Sequence, residues 1–248
     1  MKPAPFSYHY PSSVDDAVAI LAEVADEGGR IIAGGQSLIP MMALRVAYPS
    51  HLVDINGIKA LDRATVENGV FVIGALARHG RFHEPVAPGP LGLLMTQVAH
   101  HIAHYPIRQR GTFCGSVAHA DPSSEWCLVA TTLDAVLVAR SQEGSREIPV
   151  RGYFQGVMAT VLEPNEILIE VRLPLLEAGE RFGFYEFNRR AGDFALGMSL
   201  VTLQIHDGVI TSARIGLGGV EDHPRRMKQA EDELIGKEPC DAIFRAVA

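Results

Sequence analysis

Arg110-Gly111-Thr112-Phe113-Cys114-Gly115-Ser116-Val117-Ala118-His119-Ala120-Asp121-Pro122 and, earlier, Ala33-Gly34-Gly35-Gln36-Ser37-Leu38-Ile39-Pro40 decide how this chain reads. Each stretch sets small residues beside hydroxyl side chains, next to an apolar run. Where no Cβ intervenes, a turn's backbone is open to close approach, and several N–H groups can face one anion. Two such turns in one domain suit the two phosphates of a dinucleotide, held from opposite sides. The first stretch has neither the G-x-G-x-x-G of a Rossmann turn nor the Gly-Lys-Ser/Thr ending of a P-loop. By itself it fits an ordinary turn as well as a phosphate loop. In the second, Thr112, Ser116 and His119 can donate hydrogen bonds, Gly111 and Gly115 leave the backbone accessible, and Asp121 or Glu125 can accept from ribose hydroxyls. Such neutral donors suit a buried pyrophosphate. A long structured loop without a ligand is the competing reading.

Around these turns the composition is that of an ordinary globular chain. Its 248 residues suit one large domain or two modest ones, and 47% hydrophobic content supplies a core. A net charge of −7 speaks against nucleic acid as the main partner. No apolar run approaches the ~20 residues that span a bilayer, and Met1-Lys2-Pro3-Ala4-Pro5-Phe6 lacks the apolar stretch expected of a signal peptide. The three cysteines, Cys114, Cys127 and Cys240, form no CxxC pair. They build no disulfide framework or iron–sulfur site, and a reduced cytoplasmic protein is expected.

Periodicity predicts a helix from Val14 to Val24, capped by Ser12 or Ser13 and stopped by Gly28-Gly29. Strands are predicted over residues 30–33, 52–55, 69–74, 135–139 and 166–171, and helices over 91–103 and 126–132. The stretch 111–122 is expected to be irregular because it is so rich in small residues. A segment beginning at Phe182 leads into a hairpin, 198–205 and 209–217, turning at Asp207-Gly208. A polar helix is expected over 224–235.

The two glycine stretches, in this order, resemble the FAD-binding medium subunit of molybdenum hydroxylases, the family of carbon monoxide dehydrogenase, xanthine dehydrogenase and bacterial N-heterocycle hydroxylases. Ile107-Arg108-Gln109-Arg110, Leu162-Glu163-Pro164-Asn165-Glu166-Ile167-Leu168 and Arg189-Arg190-Ala191-Gly192-Asp193-Phe194-Ala195 extend the resemblance over nearly the whole chain. It implies an α+β, vanillyl-alcohol-oxidase-type (PCMH-type) fold. Two α/β subdomains, 1–57 and 58–176, would clasp FAD, followed by a C-terminal α+β subdomain, 177–248, shorter than in many relatives. Residues Ala33, Gly34, Gly35, Gln36, Ser37 and Leu38, with Thr112, Phe113, Cys114, Gly115 and Ser116, would hold the pyrophosphate and ribityl chain. Glu125 would sit near the ribose, and Leu162 near the adenine or the ring. The resemblance assigns no acid–base residue to this chain and no metal. Molybdopterin belongs to a large partner subunit and 2Fe–2S clusters to a small one, in a heterotrimer or its dimer. Electrons would pass from those clusters through FAD to an external acceptor, with an N-heterocycle or related degradative compound as the substrate of the complex. A free-standing flavin oxidoreductase and a non-enzymatic nucleotide-binding module are the alternatives.

Three features depart from the family pattern. Its Thr-x-Gly-Gly motif has Cys114 at the first glycine; if that position required φ > 0, a cysteine would cost roughly 1 kcal/mol or more. Restoring glycine there is expected to preserve or improve FAD retention. Glu186 stands where a lysine is common, and its charge would oppose negative charge on reduced flavin. The third departure is the short C-terminal part. His100 and His104 have the i, i+4 spacing of zinc ligands, but the HExxH glutamate and a third ligand are missing, so a structural or surface role is expected.

Overall fold

The computed structural model describes residues 1–248. The first sheet is parallel, with β1 (Ser7–His9) and β2 (Arg30–Ile32) flanking β3 (His51–Asp54). Between β1 and β2 runs α1 (Val14–Val24). Ser13 caps it by accepting from the Asp16 N–H at 3.1 Å, and Ala17, Val18, Leu21 and Val24 bury its inner face. The chain leaves β2 through the first glycine turn and enters α2 (Leu38–Ala43).

The second sheet is antiparallel. Its order is β4 (Ala64–Glu67), β5 (Val70–Gly74), β10 (Ile167–Pro174), β6 (Val136–Ser141) and β7 (Gly144–Pro149), with a small hairpin of β8 (Phe154–Gly156) and β9 (Ala159–Thr160) before β10. Four helices lie between β5 and β6: α3 (Gly89–His101), α4 (Tyr105–Arg108), α5 (Phe113–His119) and α6 (Glu125–Thr132). The third sheet runs β11 (Arg181–Phe187), β12 (Gly197–His206), β13 (Val209–Gly218) and β14 (Arg225–Arg226). Asp207 and Gly208 both take positive φ in the β12–β13 turn, as a two-residue hairpin loop requires. Helices α7 (Lys228–Leu234) and α8 (Asp241–Val247) follow. One core of 47 buried residues runs from Ala17 of α1 through Phe71 of β5 to Leu200 of β12, so the three sheets share an interior.

Two sequence expectations are corrected. The stretch 111–122 is not irregular: α5 occupies its centre. Thr112 caps that helix through its hydroxyl, and Phe113, Cys114 and Val117 bury one face. The small residues let the helix lie close on the sheet. The polar helix over 224–235 is also shorter than expected. Arg225 and Arg226 are a strand paired with Leu217 and Gly216, and only Lys228–Leu234 is helical. The short strands β1, β4, β7, β8, β9 and β14, and helix α8, carry too little periodicity to be read in advance.

Candidate functional site

A cleft of about 1260 Å³ opens between the first glycine turn, the start of α5, the start of α6, the β9–β10 loop and the segment around Arg189–Leu196. It exceeds the ~300–1,000 Å³ of a drug-sized pocket and suits a longer ligand.

The first turn supplies one wall. Gly35 takes φ +68°, and the Gln36 side-chain amide donates to the Gly34 carbonyl at 3.0 Å, which holds the loop in shape. None of the backbone N–H groups from Gly34 to Leu38 has an acceptor within the chain. Half-exposed backbone donors left unpaired by the chain are free to bond water or a ligand. A run of them at the wall of a cleft makes a nest for an anion.

The second turn supplies the facing wall. Thr112 is buried, and its hydroxyl accepts from the Gly115 N–H at 3.0 Å. The Cys114 N–H has no acceptor in the chain, whereas Phe113 N–H donates to the Ala77 carbonyl at 3.1 Å. The two turns touch. A Cβ built on Gly34 would lie 2.3 Å from the Arg110 carbonyl oxygen and 2.7 Å from Gly111 Cα, so only glycine allows this approach.

Of the residues singled out in sequence, Ala33, Gly34, Gly35, Gln36, Ser37, Leu38, Thr112, Cys114, Gly115, Ser116, Glu125 and Leu162 all line the cleft. Phe113 does not. Its ring is fully buried against Trp126, with centroids 4.9 Å apart, because the first turn of α5 directs it into the core. Cys114 is helical rather than at positive φ, so the expected strain is absent. Its thiol donates to the Ile73 carbonyl at 3.4 Å, on the sheet side, and burial raises its pKa far above the ordinary thiol value.

Glu125 begins α6, where burial pushes its carboxyl up to about 8, with Glu186 and Asp121 adding to the rise. Glu186 itself is not on the cleft. Its carboxylate is buried behind the wall, accepts from Asn188 at 2.9 Å, and lies 3.8 Å from His101; burial shifts it toward the neutral form. His100 and His104 do not converge: His100 stacks on His83 at 5.0 Å, and His104 lies against Gly192.

Among the cleft residues that the sequence did not single out, His79 has the most distinctive environment. His79 is buried beside Gly111, and its Nδ1 accepts from the Trp126 indole N–H at 2.9 Å. Burial, helped by the charges of Arg78 and Arg108, lowers its pKa to about 3, so the ring is neutral and its proton is on Nε2. A lone histidine gives no sequence signal of this kind.

Residues 4–176 match the family model described as the FAD binding domain in molybdopterin dehydrogenase, and residues 182–248 match the CO dehydrogenase flavoprotein C-terminal domain. The chain belongs to this family of FAD-binding subunits. It is 38% identical to the 6-hydroxypseudooxynicotine dehydrogenase complex subunit alpha of Paenarthrobacter nicotinovorans, over 95% of this chain and 79% of that one. Among solved structures, carbon monoxide dehydrogenase from Hydrogenophaga pseudoflava superposes with a TM-score of 0.95 at 35% identity, covering 100% of this chain and 86% of that one. Quinoline 2-oxidoreductase from Pseudomonas putida 86 superposes with a TM-score of 0.91, also at 35% identity, covering 100% and 85%. The fold of this flavoprotein subunit is therefore the α+β, PCMH-type FAD-binding fold expected from its sequence. Its cofactor is FAD and its class is oxidoreductase. No helix is long and apolar enough to cross a membrane.

Proposed function

We propose that FAD lies in the cleft with its pyrophosphate between the two glycine turns, and that this subunit relays electrons within a molybdenum hydroxylase. The carrying observation is the row of unpaired N–H groups from Gly34 to Leu38, set against the second turn by the close approach at Gly34. Ser37 and Ser116 hydroxyls and the Cys114 N–H add donors, Glu125 takes the ribose, and Leu162 flanks the adenine or the ring. Phe113 packs behind the site. In this reading the chain divides into subdomains 1–57, 58–176 and 177–248, a division that the three separate main sheets support. Bound FAD supplies one- and two-electron chemistry; the chain binds it, orients it and shields it from water. Its partners in this reading are a large molybdopterin subunit and a small subunit with 2Fe–2S clusters, in a cytoplasmic heterotrimer or its dimer. The cysteines present are all unpaired.

For the complex we propose an N-heteroaromatic or related degradative substrate. Relatives named for quinoline and for 6-hydroxypseudooxynicotine, both nitrogen heteroaromatics, support this class. The test is co-expression of the chain with a large molybdopterin subunit and a small iron–sulfur subunit from the same source. A yellow, iron- and molybdenum-containing complex whose flavin bleaches on adding an N-heterocycle is expected. A chain isolated without flavin and without an iron–sulfur partner overturns the relay reading. Bleaching by carbon monoxide but by no heterocycle overturns the substrate class alone.

A further inference from the structure

The two turns meet, yet they belong to different sheets, and something must hold them in register. The structure places a chain of side-chain hydrogen bonds between them. Asn56, in the 3-10 turn after β3, donates from Nδ2 to the Ala33 carbonyl at 2.7 Å. Its Oδ1 accepts from one arm of the Arg78 guanidinium. The other arm of Arg78 donates to the Arg110 carbonyl. That carbonyl is the atom against which Gly34 packs. The orientation of the Asn56 amide is fixed by its neighbours, since its N–H groups face the Ala33 carbonyl and the Asp54 carboxylate while its oxygen faces a guanidinium. Asp54 is held in turn, accepting from the Asn56 backbone N–H at 2.9 Å and from the Tyr8 hydroxyl at 2.6 Å.

Arg78 is well suited to the middle of this chain. Its backbone pairs with Thr112, flanked by the bonds from His79 N–H to the Gly111 carbonyl and from Phe113 N–H to the Ala77 carbonyl. The second turn is therefore already fastened to the segment that carries Arg78. A planar, forked guanidinium can serve two carbonyl-type acceptors at fixed separation, which a lysine cannot. Neither Asn56 nor Arg78 lines the cleft.

We infer that Asn56 and Arg78 are positioning residues that clasp the two glycine turns at the separation the FAD pyrophosphate requires. This rests on the proposed seat of the pyrophosphate. The clasp makes no contact with FAD; it sets the distance between the groups that do. Its parts act in series, so losing either link frees the turns to the same extent, and losing both frees them no further.

The test measures flavin release by fluorescence from the flavin-loaded protein, isolated with its partner subunits. Asn56→Ala and Arg78→Met are each expected to release FAD about tenfold faster, equivalent to about 1.4 kcal/mol. The double variant is expected to release it at the same rate as the singles. Unchanged release in both singles overturns the clasp, and so does a double variant near 100-fold, the product expected of independent contributions. Should Arg78→Met fail to fold, Asn56→Ala decides alone: it removes a smaller, surface-proximal amide, and unchanged release in it overturns the proposal. Gly34→Ala separates the two levels. If it retains FAD normally, the pyrophosphate seat is wrong; if it loses FAD while the clasp variants keep theirs, only the clasp is wrong.

Discussion

At Gly34 a single hydrogen atom in place of a side chain lets two turns from different sheets come into contact. A methyl group there would meet the Arg110–Gly111 backbone, which cannot move aside as a side-chain tip can. Gly34→Ala is expected to lower FAD content at least about tenfold, by forcing the turns apart at a cost of a few kcal/mol; the flavin-to-protein absorbance ratio measures it. Cys114 matters differently. Because its thiol faces Ile73 and only its N–H is free toward the cleft, Cys114→Gly should keep FAD while destabilising the fold by about 1–2 kcal/mol, from lost packing and helix propensity. Urea unfolding beside the flavin absorbance separates these two effects. His79 gives a pH signature. Its pKa near 3 lies below the ordinary 6.5, so below pH 6.5 the unfolded chain takes up a proton that the folded chain refuses. Its share of the stability is complete above pH 6.5 and falls as the pH drops toward 3. Trp126, the only tryptophan, reports unfolding directly, and the decline should be shallower in His79→Gln.

The elements show why some boundaries are hard to read. Helix α5 is built from Phe-Cys-Gly-Ser-Val-Ala-His, a composition that suggests a loop. It forms because Thr112 caps it and because its apolar residues find the sheet. Thr112→Ala is expected to cost about 1 kcal/mol through the lost cap, read as a lower urea midpoint, and to loosen FAD by freeing Gly115 N–H from its fixed direction. Helix α7 depends on a pair its own sequence does not announce. Glu231 is buried, accepts from the Ile215 N–H at 2.9 Å, and is bound by Arg226 of β14 at 2.6 Å. Burial alone would raise its pKa, but Arg226, the Ile215 N–H and Lys228 together hold it below the ordinary value. That stability is present above the ordinary carboxylate range and is lost as the pH falls through the depressed pKa. Arg226→Met removes the more buried of Glu231's two cationic partners, leaving Lys228 and the Ile215 N–H, and is expected to cost about 1.5–3 kcal/mol, measured by thermal unfolding at neutral pH.

Across the whole molecule the shared core ties the sheets together, and the cleft between them is where binding energy enters the fold. FAD at about 100 times its Kd should stabilise the folded chain by about 2.7 kcal/mol. For a chain of this size that is a rise of roughly 5–10 °C in Tm, measurable by scanning calorimetry with and without added FAD. The glycine turns, the helix from Val14 and the β12–β13 hairpin were legible in the sequence, because each rests on residues adjacent along the chain, and the family was legible because several such stretches follow one another in its order. A turn needs its glycines in place, an amphipathic helix its period, and a hairpin its Asp-Gly, whatever surrounds them. The contact of Gly34 with Arg110, the side of α5 that takes Phe113 and the Cys114 thiol, the neutral His79 beneath Trp126, and the Asn56–Arg78 link were decided by the tertiary structure alone. Each depends on groups far apart in sequence meeting at hydrogen-bond distance, and burial then sets their protonation and direction.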